Sequence, residues 1–316
     1  MVPNQYRPPE GVLFPCGHAV GNVPPLHVKH LSPVPRPGKF QSDLDFLCRK
    51  LHPLEVLELE QLPSQHHAKM SPRSFILSFD DGLREGYEVI APILSRQGVP
   101  AIFFINSATI DNGRLMWRHK ISLLIERSLK LPGHVPPQIS LRPRENLQDK
   151  LRALRFADEG LIDDIAKFFE VDFDDYLRTS KPYLTTDQVL RLSRAGFAVG
   201  AHGDTHSYFQ ERTVEDQKNE ISTCVRFIRN LGLPCRYFAF PFHDEGIPMH
   251  VFGHIRELGI ALSFGTSEAR VDSVQFSYQR FSIDASDSNV SKVLRQLSVK
   301  SIFRQLSGTE IIQRSA

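Results

Sequence analysis

Two carboxylates stand side by side, Asp80 and Asp81, where the apolar run SFILSF gives way to DDGLREG. Adjacent anions repel unless a cation or a shared proton offsets them. A second charged cluster, HGDTH, places His202 and His206 four residues apart, a spacing that presents two imidazoles to one ion. Two histidines and one carboxylate suit a divalent transition metal and leave coordination positions open for chemistry. The other carboxylate, ionised beside that charge, is then available to take a proton from an attacking water. Taken alone, FDDG is also an ordinary strand-to-turn ending and HGDTH a solvated loop.

What favours a site is the position of each cluster. Asp80 and Asp81 follow the strand pattern SFILSF, HGDTH follows FAVGA, PFHDEG (Pro241 to Gly246) follows RYFAF, and PCGH, ending at His18, follows GVLF. Helical patterns alternate with these runs. TTDQVLRLSRAG opens with a capping box, Thr185 with Gln188, and closes on Gly196, while Ile221, Cys224, Val225 and Ile228 line one face of a later helix. Repeated strand–helix units predict an α/β fold with a parallel sheet, open or closed into a barrel, whose strand carboxyl ends share one face. Four clusters distant in sequence then converge.

Elsewhere the pattern is less regular. Residues 22–38, rich in proline, are expected to run extended over the surface, and LEVLEL (54–59) reads as a strand. Pro92 is expected to kink its helix. Residues 113–182 carry charged helical patterns with no convincing strand and read as an insertion between two strand units. Its DFDD lacks the glycine and closing glutamate of a calcium loop and reads as an acidic turn, and its Trp117 suits either a helix anchor or a sugar platform.

Composition narrows the classes. A net charge of +2, from 38 basic and 36 acidic residues, gives no field for nucleic acid or an anionic membrane. Cys16, Cys48, Cys224 and Cys235 form no CxxC pair and are expected as reduced thiols. The N-terminal MVPNQYRPPEGVLFPCGH lacks the pattern of a secretion signal and no apolar run is of spanning length, so a cytoplasmic protein without membrane insertion is expected.

The clusters together resemble the polysaccharide deacetylases, the NodB-homology group that forms carbohydrate esterase family 4. SFDDG is similar to the family's first motif, HGDTH to its histidine motif, and GFAVGAHGDTHSYF and RYFAFPF are similar along their lengths. The resemblance implies one catalytic domain over residues 1–316, a distorted (β/α)7 barrel with the insertion at about 113–182. It implies hydrolysis of an N-acetyl group on an amino sugar or polysaccharide, with one divalent ion, zinc first and cobalt, nickel or manganese as alternatives. Carried over, Asp80 is the general base, and Asp81, His202 and His206 hold the metal. The backbone N–H of Phe242, after Pro241, stabilises the oxyanion, and Pro241 and Arg280 are expected on the substrate side.

Departures from the family pattern matter as well. The usual late Leu-x-His motif is missing after SYQRFSID. One branch, similar to the deacetylases of biofilm poly-N-acetylglucosamine, carries this histidine near the N-terminus, which assigns the general acid to His18; its alternative is a histidine in a surface turn. Gly203 replaces a hydroxyl residue, implying a looser metal loop. The arginine that usually adjoins the third motif is absent, leaving Arg236 or Arg280 to pair with Asp80. A non-sugar amide hydrolase and an inactive glycan-binding protein on the same fold remain the competing readings.

Overall fold

The structure is a computed structural model, described here for residues 11–60, 74–284 and 289–315. In chain order, β1 (Val12–Leu13) and β2 (Pro15–Gly17) lead to α1 (Pro37–Lys50), β3 (His52–Pro53) and the short α2 (Val56–Leu59). Next come β4 (Ser74–Phe75), β5 (Leu77–Phe79), α3 (Ala91–Gln97) and β6 (Ala101–Ile105). Four helices follow, α4 (Trp117–Lys130), α5 (Leu147–Ala153), α6 (Glu159–Phe168) and α7 (Phe173–Ser180). The rhythm resumes with α8 (Thr186–Arg194), β7 (Ala198–Ala201), α9 (Val214–Asn230), β8 (Tyr237–Ala239), α10 (Met249–Glu257) and β9 (Leu262–Gly265). The chain closes with β10 (Val271–Asp272), β11 (Ser277–Gln279), β12 (Phe281–Ser282), α11 (Val290–Ser307) and β13 (Ile311–Ile312).

Eight strands pair in parallel in the order β11-β9-β8-β7-β6-β5-β2-β12. The first and last of these are one chain path interrupted at Arg280: Arg280 N–H donates to the Gly265 carbonyl on one side and Phe281 N–H to that of Phe14 on the other. Eight segments less this shared path make the seven-stranded, nearly closed barrel that the sequence implied.

Period-two alternation sorts the side chains. Phe14, Ile76, Ile102, Phe104, Tyr237, Leu262 and Phe264 fill the barrel interior, while Leu77, Phe79, Phe103, Ile105, Val199 and Phe238 pack outward against the helices. The same parity carries Asp80 and His202 inward, two residues beyond Ser78 and Gly200. Gly200 is glycine because Phe104 occupies its side-chain space: a Cβ there would lie 2.5 Å from the Phe104 ring and 2.9 Å from the Tyr237 carbonyl oxygen.

Helices α4 to α7, between β6 and α8, form the expected insertion and build their own cluster around Trp117, Ile121, Leu124, Ile162 and Ile165. Several local readings are corrected. LEVLEL is not a strand: Val56–Leu59 is a helical turn whose capping box joins Glu55 and Glu58, so local capping outweighs the apolar run. Residues 22–38 do not simply run over the surface, because Val28 and Val34 are buried in the insertion's cluster, and α1 starts at Pro37, where a helix needs no proline N–H. Pro92 breaks no ladder: a π-helical turn at Gly86–Ile90 leaves it in the first turn of α3. DFDD is the start of α7, with Asp172 accepting from Asp175 N–H. The GVLF strand continues to Gly17, which sets His18 at the barrel rim. The four cysteines are free thiols, Cys48 alone of them exposed. No described helix is long and apolar enough to cross a membrane. Residues 1–10, on which the leader reading partly rests, and 285–288 of the polar start before α11 lie outside the described residues; Asn289 caps that helix.

Replacing Gly200 by alanine is expected to destabilise the protein by about 1–3 kcal/mol through overpacking against Phe104. Denaturant unfolding measures this, and an unchanged midpoint would show that the interior yields.

Candidate metal and catalytic site

Asp81 occupies the left-handed region, with φ of 72°. That turn brings its carboxylate off the inward line of Asp80 and toward the histidines. Its Oδ1 lies 3.1 Å from His206 Nε2 and 3.6 Å from His202 Nε2. One donor atom from each of the three residues falls within 4.8 Å of the others. Ligands bound tetrahedrally at about 2.0–2.1 Å stand roughly 3.3 Å apart, so the spacing fits one small divalent ion.

Two further observations bear on that fit. Asp81 Oδ1 is buried with no well-formed hydrogen bond among the described residues, although His206 Nε2 lies 3.1 Å away. His202 donates Nδ1–H to the Ala239 carbonyl at 2.8 Å, which leaves Nε2 as a free lone pair facing Asp81. Burial pushes His202 down to about 4, so the imidazole is neutral as a metal ligand requires. Asp81 is held well below the usual carboxylate range: burial opposes its charge, and His206, His18 and His202 outweigh that cost.

Asp80 has a different partner. Arg280 grips it with two parallel bonds, Nη1 to Oδ1 at 2.7 Å and Nη2 to Oδ2 at 2.8 Å, and adds one to Ser78 Oγ at 3.1 Å. The guanidinium lies 5.3 Å from the centre of the Phe104 ring. Burial raises the Asp80 pKa, but Arg280 and His202 override it and leave it lowered. Arg236, the other candidate, pairs with Glu60 instead. Cys16 beside this pair is pushed up to about 12, mainly by burial, and is no nucleophile.

His18 reaches the same cavity. Its Nδ1 lies 2.6 Å from Asp284 Oδ2 and its backbone N–H donates to Oδ1 at 3.2 Å. Gly17 permits this approach, since a Cβ there would meet Asp284 Oδ1 at 2.9 Å. Burial disfavours the imidazolium, yet Asp284 pushes His18 up to about 10. Phe242, also left-handed with φ of 58°, stacks on Tyr208 at 3.7 Å between ring centres and meets the His206 ring edge-on at 4.6 Å. Its N–H has no partner among the described residues. Pro241 does not line the cavity; it lies against Gly203, so its place is in the turn rather than against substrate.

The loop from His202 to His206 is not loose. Gly203 takes φ of 79°, and a Cβ there would press Glu220 at 3.3 Å. Glu220 accepts from the N–H groups of Asp204 and Thr205, both at 2.8 Å, and from the Thr205 hydroxyl. Asn106 donates to the carbonyls of His202 and Gly203, and Trp117 Nε1 to that of His206 at 2.9 Å. Trp117 is thus an anchor, not a sugar platform. Sequence reasoning missed Asp284, Glu220 and Asn106. Only Asp284 left a trace, an acid at the end of the apolar segment FSID.

The Asp80–Arg280 pair sets a stability test with a defined sign. A lowered Asp80 pKa adds stability above the unfolded carboxylate value, lost as pH falls through the folded one. In Arg280→Met the carboxylate is buried and unpaired, its pKa rises, and stability at neutral pH should drop by about 3–5 kcal/mol. Protonation relieves that penalty, so denaturant melts near pH 4 should show a smaller deficit. A deficit independent of pH would assign the loss to packing.

Comparison with known proteins bears on this geometry. No curated protein matches the chain by sequence. Among solved structures, the Streptococcus pyogenes deacetylase PplD in complex with acetate superposes with a TM-score of 0.60 at 14% identity, covering 92% of this chain and 99% of that one. IcaB from Ammonifex degensii gives 0.57 at 15% identity, with 92% and 98% covered. The Bacillus cereus polysaccharide deacetylase BC0361 gives 0.55 at 11% identity, with 91% and 69% covered. At these identities the likeness speaks for the barrel alone. The polysaccharide deacetylase profile matches residues 67–260, more than half of the sequence, and with it the chain belongs to the polysaccharide deacetylase family.

Proposed function

We propose that this protein is a metal-dependent hydrolase that removes N-acetyl groups from an amino sugar in a glycan or glycan precursor. The observation that carries the reading is convergence: Asp80, the Asp81–His202–His206 triad, His18 and Phe242 all line one cavity of about 290 Å³. Asp81, His202 and His206 would hold the ion, zinc by ligand type, with cobalt, nickel or manganese as substitutes. Bound there, a divalent cation would polarise the acetyl carbonyl and lower the pKa of the attacking water toward about 7.

The chain's own residues supply the remaining steps. Asp80, kept ionised by Arg280, orients the water and takes its proton. Phe242 N–H faces the oxygen on which negative charge develops, a donor typically worth about 10²–10³ in rate. His18, kept protonated by Asp284, gives its proton to the sugar nitrogen as the C–N bond breaks. The two environments push an acid and a base apart, so both roles are filled at neutral pH.

Acetate release from N-acetylated chito-oligosaccharides, with zinc supplied, tests the reading. Asp80→Asn should lower turnover by about 10²–10⁴ with metal content unchanged. Undiminished turnover would remove Asp80 from the chemistry. The acid has its own signature. Turnover needs protonated His18 and should fall as pH rises through its raised pKa; Asp284→Asn removes the anion that raises it, so the basic limb should move to lower pH. A limb that stays in place would exclude His18 as the acid.

A further inference from the structure

The cavity has two walls of different character. On the side of Asp81 every charged group has a partner: Asp80 with Arg280, His18 with Asp284, and Asp81 facing His206 and His202. Glu268, also on the lining, is paired with Lys300. Arg118 is the exception. It lines the cavity from the first turn of α4 and has no carboxylate partner among the described residues. One arm is fixed by Nη1 donating to the Arg152 carbonyl at 3.3 Å, and its guanidinium lies 5.5 Å from the Trp117 ring centre. The cations nearest it, Arg152 and Arg155, add repulsion rather than relief, and burial together with them lowers its pKa.

His119, the next residue, is buried on the same lining. Tyr183 oxygen accepts Met116 N–H at 2.9 Å and lies 2.6 Å from His119 Nδ1. The buried Tyr183 O–H therefore donates to Nδ1, which makes the neutral ring an Nε2–H donor. That nitrogen has no partner among the described residues. The first turn of α4 holds no acidic residue. This wall offers donors, the Ser32 hydroxyl and one uncancelled positive charge, and no carboxylate.

We propose that Arg118 and His119 form a subsite for an anionic substituent, a phosphate or a carboxylate, carried by the N-acetylated sugar whose amide meets Asp81, His202 and His206. The proposal rests on the deacetylase reading for the sugar, while the anion requirement follows from the wall itself. A guanidinium with one arm fixed keeps its other donors for two oxygens of one group.

Calorimetric titration of the purified protein with N-acetylglucosamine, N-acetylglucosamine 6-phosphate and N-acetylgalactosaminuronic acid tests it. At least one anionic probe should bind about tenfold or more tightly than the neutral sugar, with the advantage shrinking as salt is raised. Whichever anion is preferred names the source. Arg118→Gln, with its fold checked by thermal unfolding, should abolish the preference, and Arg118→Lys should restore part of it. Equal affinities for all three probes, or a preference that survives Arg118→Gln, would overturn the subsite. Acetate release is scored separately. A preference without release from any probe would sustain the subsite and overturn the deacetylase reading; release without a preference would do the reverse.

Discussion

The buried pair between Asp80 and Arg280 is the interaction on which both the barrel and its site depend. Arg280 is the residue at which the closing strand passes from β9 to β2, so its backbone joins the two edges of the sheet. Its side chain enters the interior and meets a carboxylate that would otherwise stand next to Asp81 without compensation. Burying two ions costs several kcal/mol each, and only close geometry offsets that. Here two parallel bonds, a third to Ser78 and the face of Phe104 do so, although Arg280 Nε is left without a partner. The pair keeps Asp80 ionised, while Asp81, one residue on, is turned toward His202 and His206.

Strain in the backbone serves the same separation. Asp81, His206 and Phe242 all hold positive φ, a state that costs non-glycine residues of order 1–3 kcal/mol. His206 and Phe242 are fixed by neighbours outside the chemistry. Trp117 holds the His206 carbonyl, Glu220 and Asn106 hold the loop before it, and Thr266 donates to the Phe242 carbonyl. The donor atoms therefore converge through the fold itself.

Much of this was legible in the sequence because strands have period two and parallel strands end on one face. An apolar run followed by Asp80–Asp81, by His202 or by His18 needed no distant information to be placed on the rim. What escaped were residues that act on others across the chain. Glu220 sits on a helix face, Asn106 ends an apolar strand, and Asp284 is separated from His18 by 266 positions. Their partners are set by closure of the barrel, which no local pattern encodes. The misreadings at Val56–Leu59 and around Pro92 have the opposite origin: a capping box and a π-helical turn, both short-range devices, overrode the apolar periodicity.

The insertion was legible as helices but not as part of the site. Its apolar cluster is continuous with Val28 and Val34 from the segment after His18, so one packed unit covers one side of the cavity. That unit does three things at once: Trp117 pins the His206 backbone, Tyr183 fixes the tautomer of His119, and Arg118 lines the cavity. A wall that also holds the His206 backbone cannot shift without moving that imidazole. The shape of the cavity is therefore tied to the same contacts that hold His206 in place.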